Sequence, residues 1–164
     1  MLKKDWFIDW FDTPYYHILY QNRNELEAKN FILSLMDHLK LVPDSKILDL
    51  ACGKGRHSKT LNELGHNVLG VDLSENSINQ AKEYSSDTLS FQVHDMREAI
   101  EDKQFDAIFN LFTSFGYFDT HKENQRMCSS IADMLKPNGK LIIDFMNAHK
   151  VIESLVEEEE KEIS

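Results

Sequence analysis

Long apolar runs and a secretory leader are absent from this chain of 164 residues. No stretch approaches the roughly 18 apolar residues that a membrane-spanning helix requires. The first ten residues, Met1 to Trp10, lack the uninterrupted apolar core of a signal peptide. We therefore expect a cytoplasmic protein with no membrane partner. At this length, one domain with a buried core is the expected organisation.

Cysteines and basic residues are also scarce. Cys52 and Cys128 have no metal-ligand spacing around them, so we expect two reduced side chains that fill small apolar spaces. The seven histidines show no two-histidine-plus-carboxylate spacing, and no metal is expected. Lysine and arginine number 18 against 28 aspartates and glutamates, which gives a formal net charge of −10. An acidic chain lacks the positive surface that binds a nucleic-acid backbone, so no nucleic-acid partner is expected.

Alternating apolar and amphipathic segments run through most of the sequence. Apolar runs predict five strands, at 46–51, 68–71, 89–93, 105–111 and 141–145. End signals predict the helices, at 22–40, 58–64, 74–84, from the Thr120–Glu123 capping box onward, and at 151–156. Apolar strands that alternate with helices are typical of a parallel sheet covered on both faces. The predicted fold class is α/β, with a doubly wound, mostly parallel sheet.

The two ends of the chain differ in composition from the middle. Residues 1–20 are rich in aromatic side chains, and we interpret them as an aromatic N-terminal lid segment or a flap that packs on the core. Residues 157–164 begin with four consecutive glutamates and are predicted to be a solvated acidic tail. Residues 21–156 then form the main domain.

The most specific pattern is a glycine-rich turn after the first predicted strand, where Asp49 is followed by Gly53 and Gly55. Glycine tolerates positive φ and lets a backbone approach a nucleotide-like ligand closely. Asp72 ends the second strand, where ribose hydroxyls would need an acceptor. Ser58 replaces the third glycine of a dinucleotide-binding turn, and Asp49 would repel a pyrophosphate. A nicotinamide-dependent oxidoreductase is therefore the less favoured alternative.

Polar residues also follow four successive predicted strands: 49–55, Asp72, 94–96 and 110–114. In a doubly wound sheet, ligands bind at the carboxyl ends of the strands. The sequence therefore predicts one ligand site at that edge of the sheet.

Together, the segments 48–58, 71–74, 94–97 and 135–139 resemble class I S-adenosylmethionine-dependent methyltransferases. The segments 110–117 and 15–20 are similar to a small-molecule subgroup that includes N-methyltransferases of amino-deoxysugars. The resemblance implies a Rossmann-like methyltransferase fold and S-adenosylmethionine as the cofactor. Two strands that follow the fifth in that family are missing here.

The resemblance implies a binding role for several residues. Asp49, Ala51, Gly53 and the Gly55 turn would surround the methionine part of the cofactor, and the Asn110 carbonyl would help to hold its ammonium group.

On the nucleoside side, Asp72 would bind the ribose hydroxyls, and Leu73 would lie against the adenine. Asp95 would accept from the adenine amine, with Met96 beside the ring. Carboxylates and apolar side chains suit these two tasks.

Four further residues are candidates on side-chain chemistry. Arg23 or Arg56 could pair with the methionine carboxylate, and the alternative for each is a surface arginine. Tyr16 and Tyr20 fit a wall near the substrate, and the alternative is aromatic core packing. No catalytic residue is assigned.

The sequence therefore favours methyl transfer to a nitrogen or oxygen of a small molecule. The alternative is an S-adenosylmethionine-binding module without activity of its own. The fifth strand would be an apolar sheet edge. We expect either a piece of a longer protein or a homodimer formed through that strand.

Overall fold

A computed structural model of the chain describes residues 6–11, 13–19, 25–156 and 158. The helices are α1 Trp6–Phe11, α2 Pro14–Leu19, α3 Glu25–Leu39, α4 Arg56–Glu63, α5 Glu75–Ala81, α6 His121–Met134 and α7 Ala148–Glu153. The strands are β1 Lys46–Leu50, β2 Asn67–Asp72, β3 Leu89–Val93, β4 Phe105–Asn110 and β5 Leu135–Ile143. A single 3₁₀ turn, Lys82–Tyr84, extends α5.

The five strands form one sheet in the order β3-β2-β1-β4-β5, and every pair is parallel. The predicted α/β fold with a doubly wound sheet is therefore confirmed. Strand β1 lies in the middle, where Asp49 is paired with Gly70 on one side and Phe109 on the other. Because all the strands are parallel, their carboxyl ends share one edge of the sheet.

Helices cover both faces of the sheet because successive strand side chains point to opposite sides. Ile47 packs with Ile32 of α3 and Leu61 of α4 in one core cluster. The next residue, Leu48, packs on the other face in a second cluster with Met127 of α6. Each fully buried aliphatic side chain contributes about 1.5–3 kcal/mol, so both faces are needed to hold the sheet.

The helix ends follow the predicted capping chemistry. The Ser74 side chain accepts a hydrogen bond from the Ser77 backbone N–H at the start of α5. Thr120 does the same for Glu123 at the start of α6. Helix α4 begins two residues before the predicted Ser58, directly after Gly55. The last helix, predicted at 151–156, spans Ala148–Glu153.

Strand β5 differs from its predicted limits of 141–145. It begins at Leu135, opposite Phe105, and pairing resumes at Lys140 opposite Ala107 after a shift in register. The expected turn at 137–139 is therefore an irregularity within the strand. Its cause is the pairing with β4, which apolar patterning cannot show.

Two smaller observations complete the fold. Cys52 is buried as expected, whereas Cys128 on α6 is exposed, so the expectation that it fills an apolar space is wrong. Within the described ranges, no helix is both long and apolar enough to cross a membrane.

Candidate functional site

A cavity of about 560 Å³ opens at the carboxyl ends of the strands. Its lining comes from the loops after β1, β2, β3, β4 and β5, and from helix α1. Of the predicted site residues, those that line it are Ala51, Gly53, Arg56, Asp72, Leu73, Asp95 and Met96. The four predicted strand-end segments thus meet in one place.

The glycine-rich turn after β1 has a left-handed backbone. Ala51, Gly53 and Gly55 have φ values of 64°, 55° and 81°. Gly53 lies on the cavity, and a Cβ added there would meet no atom within 4 Å. At Gly55, an added Cβ would lie 2.8 Å from the Phe91 ring, so that glycine serves close packing between α4 and the sheet.

Asp72 fastens this turn to the end of β2. Its Oδ2 accepts from the Gly53 backbone N–H at 2.8 Å, and its Oδ1 accepts from the Ser74 N–H at 2.9 Å. Each carboxylate oxygen can accept a further hydrogen bond. Asp72 lines the cavity and is held in a fixed orientation beside the left-handed turn. A pair of vicinal hydroxyls is a suitable ligand for such a carboxylate.

Asp49 lies beneath the turn and is not part of the cavity lining. It is 1% exposed, and its Oδ2 accepts a hydrogen bond of 2.5 Å from the Ser58 hydroxyl. Burial, opposed by the Ser58 hydrogen bond, raises the pKa of Asp49 to about 6. The glycine missing at position 58 is replaced by Gly70 of β2, where an added Cβ would lie 2.9 Å from the Ser58 oxygen.

Asp95, after β3, belongs to an ion-pair network at the cavity edge. Arg97 donates to both Asp95 oxygens and reaches Glu123 of α6 at 2.9 Å. The Arg97 guanidinium also lies over the Phe118 ring, 4.7 Å from its centroid. Although burial acts to raise the Asp95 pKa, its hydrogen bonds and ion pair with Arg97 leave the pKa below its usual value. An ionised Asp95 therefore lines the cavity.

The two candidate arginines differ in what the structure describes. Arg56 lines the cavity, pairs with Glu27 of α3 at 3.3 Å, and lies 5.0 Å from the centroid of the Phe112 ring. Arg23 and Tyr20 lie outside the described residues. The backbone of Tyr16 belongs to α2, but its side chain is not part of the described structure. The roles given to these residues remain predictions.

Asn110 ends β4 and is fully buried between the central strands. Its amide nitrogen donates to the Leu50 carbonyl at 2.9 Å, while its Oδ1 has no partner among the described residues. Its backbone carbonyl accepts from the Asp144 N–H at 3.0 Å. A buried acceptor without a donor is costly in a folded protein, and it is commonly satisfied by water or a ligand.

Aromatic side chains form one wall of the cavity. Phe7 and Phe11 of α1 contact Tyr117, and Phe7 also contacts Phe118, with ring centroids 5.3–6.3 Å apart. All four rings line the cavity. Sequence reasoning noted the aromatic N-terminus and the segment 110–117, but gave no role to Phe118. The pairing of the two segments is a long-range contact without a local signature.

Asp144, immediately after β5, also lines the cavity and was missed by sequence reasoning. Its only signal was its place at the end of the fifth predicted strand. His57 is buried beside the turn, and burial lowers its pKa to about 4, so its imidazole is neutral at physiological pH. Among the residues with described side chains, no cluster of three or more His, Cys, Asp or Glu could hold a metal ion.

Comparisons with known proteins point in the same direction. Residues 47–139 match the family model described as a methyltransferase domain. The chain is 40% identical to YqeM of Bacillus subtilis (strain 168) over 111 residues, which cover 66% of this chain and 45% of that protein. It is 31% identical over 100 residues to dTDP-3-amino-3,4,6-trideoxy-alpha-D-glucopyranose N,N-dimethyltransferase of Streptomyces venezuelae, covering 61% and 42%.

Among solved structures, an S-adenosylmethionine-dependent methyltransferase from Clostridium acetobutylicum ATCC 824 matches with a TM-score of 0.68. The match covers 84% of this chain and 56% of that one, at 24% identity, and shows a shared fold. The present chain therefore spans less than half the length of the two curated relatives described above.

Proposed function

Because the chain belongs to the methyltransferase-domain family of S-adenosylmethionine-dependent enzymes, we propose that it transfers a methyl group to a nitrogen or oxygen of a small molecule. The observation that carries the proposal is Asp72. Its carboxylate is fixed by two backbone N–H groups beside a left-handed turn, inside a cavity with an aromatic wall.

The residues present fit the family's cofactor. The orphaned Asn110 Oδ1 is a buried acceptor between the ends of β1 and β4, and an ammonium group would satisfy it. Asp72 suits ribose hydroxyls, and Asp95 with Met96 suits a purine that carries an exocyclic amine. When bound, S-adenosylmethionine supplies a methyl group on a positively charged sulfur. The chain's part is to bind, to align the reactants and to exclude water.

Helix α1 fits the function of a lid over the acceptor side of the cavity. Phe7 and Phe11 reach into the lining from this helix, while Trp6 lies 5.9 Å from Tyr117. A wall of aromatic rings keeps water away from a reacting centre. We accordingly assign residues 1–20 to the acceptor side, residues 21–156 to the cofactor-binding domain and residues 157–164 to an acidic tail.

The second candidate function is a cofactor-binding module without activity by itself. It is favoured by the short span of the chain, which covers 45% of YqeM and 42% of the dimethyltransferase. In this case the cavity binds S-adenosylmethionine, but a missing segment would complete the acceptor site.

Calorimetry with S-adenosylhomocysteine tests cofactor binding, with NAD as the competing ligand. We expect binding of S-adenosylhomocysteine, no binding of NAD, and at least a tenfold loss of affinity in Asp72→Ala, since a charge-assisted hydrogen bond contributes roughly 1.5–3 kcal/mol. The matched control is Asp87→Ala, because Asp87 is an exposed carboxylate outside the cavity. Unchanged affinity in Asp72→Ala would contradict the proposed binding mode. A turnover assay on a panel of amines and alcohols then separates the enzyme from the module.

A further inference from the structure

Asp144 clamps the loop that follows β4. Its backbone N–H donates to the Asn110 carbonyl at 3.0 Å, and its carbonyl accepts from the Thr113 N–H at 3.1 Å. Its carboxylate Oδ2 accepts from the Phe112 N–H at 3.0 Å. One residue thus makes three hydrogen bonds to three of the four residues from 110 to 113.

The clamped loop has a backbone that its residues do not favour. Phe112 and Thr113 have φ values of 62° and 58°, in the left-handed region. This region is unfavourable for a bulky residue and for a β-branched one, and it persists only where surrounding contacts impose it. Both residues line the cavity, and the Phe112 ring lies beneath the Arg56 guanidinium. The strain is therefore located at the site and is held by Asp144.

The Asp144 carboxylate has capacity beyond the clamp. Among the residues with described side chains, the single hydrogen bond to it comes from Phe112, and no lysine or arginine forms an ion pair with it. The other carboxylates of the cavity are engaged differently: Asp95 is paired with Arg97, and Asp72 is held by two backbone N–H groups. Asp144 also lies beside the Phe145 side chain in the lining, and aromatic faces favour cations.

We propose that Asp144 determines acceptor specificity by binding a protonated amino group of the acceptor molecule, while its clamp shapes the wall that faces that molecule. The inference rests on the proposed function, because it assigns an acceptor class to the same cavity. Its carboxylate keeps lone pairs for a donor after binding Phe112, and the cavity holds aromatic surface for the remainder of the acceptor.

Two substitutions separate the charge from the clamp. Asp144→Asn keeps an oxygen that can accept from the Phe112 N–H but removes the negative charge. Asp144→Ala removes both. The control is Asp133→Asn, since Asp133 is an exposed carboxylate on α6 outside the cavity, and its replacement changes the net charge equally.

The experiment compares 2-phenylethylamine with 2-phenylethanol, a matched pair in which only the amino group is replaced by a hydroxyl. Calorimetry is carried out on the full chain saturated with S-adenosylhomocysteine. We expect wild type and Asp133→Asn to bind the amine at least about tenfold more tightly than the alcohol. In Asp144→Asn the preference should fall to less than about twofold, while the affinity for S-adenosylhomocysteine stays within about twofold. Asp144→Ala should also raise hydrogen exchange at residues 111–114.

Equal binding of the amine and the alcohol by wild type, or no binding of the amine, would overturn the inference. An amine preference that survives in Asp144→Asn would overturn it as well. Failure of S-adenosylhomocysteine itself to bind would instead overturn the proposed function, so the two failures are distinguishable.

Discussion

At the scale of single residues, two buried ionisable side chains near the glycine-rich turn have opposite effects on stability. The Asp49 pKa is raised from 3.8 to about 6, and the His57 pKa is lowered from 6.5 to about 4, each chiefly by burial. Between about pH 4 and 6 the native state retains the Asp49 proton longer than the unfolded chain does. Asp49 therefore lowers stability as pH rises. His57 does the reverse, because the unfolded chain protonates first as pH falls.

Replacement of Asp49 by Asn should reveal the hidden half of this balance. Asparagine can still accept from Ser58 but has no charge to desolvate. The free energy of unfolding at pH 7 should therefore rise by up to about 3 kcal/mol, given about 1.4 kcal/mol per pKa unit. Relative to wild type, the gain should grow from about pH 4 to pH 6 and then level off. Urea unfolding across this range measures it, with Asp87→Asn as the surface control. A gain that is independent of pH would contradict the assignment.

The two glycines of the turn should respond differently to alanine. Gly55→Ala places a Cβ 2.8 Å from the Phe91 ring and at a φ of 81°, so we expect a loss of about 3 kcal/mol of stability. Gly53→Ala meets no atom within 4 Å and should lose about 1 kcal/mol, from backbone strain alone.

Thermal and urea unfolding of the two variants give the comparison, and S-adenosylhomocysteine titration gives a second readout. Gly53→Ala should weaken that binding, because its Cβ would enter the lining of the cavity. Equal stability losses in the two variants would show that the close packing against Phe91 does not matter.

At the scale of elements, strands β1 to β4 were predicted within one residue at each end, because each is apolar and bounded by turn residues. The start of β5 was not, since its first residue pairs with Phe105 ahead of a register shift. The nucleoside side of the site was accessible because its residues lie in short motifs. Phe118 and Asp144 were not, since long-range contacts alone bring them to the cavity.

The capping box of α6 links this helix to the ion-pair network of Asp95. The Thr120 hydroxyl accepts from the Glu123 N–H at 3.2 Å, and the Glu123 carboxylate accepts from Arg97. Thr120→Ala should therefore cost about 1 kcal/mol of stability, the typical effect of a lost cap. Thr120→Ser is the matched control, because it keeps the capping oxygen. Chemical unfolding of the two variants makes the comparison, and equal stabilities would argue that the cap contributes nothing.

At the scale of the whole molecule, the sheet has two exposed edges with different character. Strand β3 ends one side and β5 the other. Leu141 and Ile143 of β5 are 42% and 40% exposed, and Phe145 beyond the strand is 52% exposed. An apolar edge with open backbone groups is a surface for strand pairing. The net charge of −10 opposes the approach of a second copy, so salt should decide how far association proceeds.

We therefore predict that the chain self-associates through β5, and that association strengthens as salt screens the mutual repulsion of the two acidic copies. Sedimentation velocity from low to high micromolar concentration should show a rising average sedimentation coefficient, more steeply at high salt. Ile143→Lys should remain monomeric, because it places a charge on the apolar edge. Ser90→Lys is the matched control, since it adds the same charge to the exposed face of β3 at the opposite edge. A wild-type chain that stays monomeric at every concentration and salt level would exclude β5 as a pairing surface.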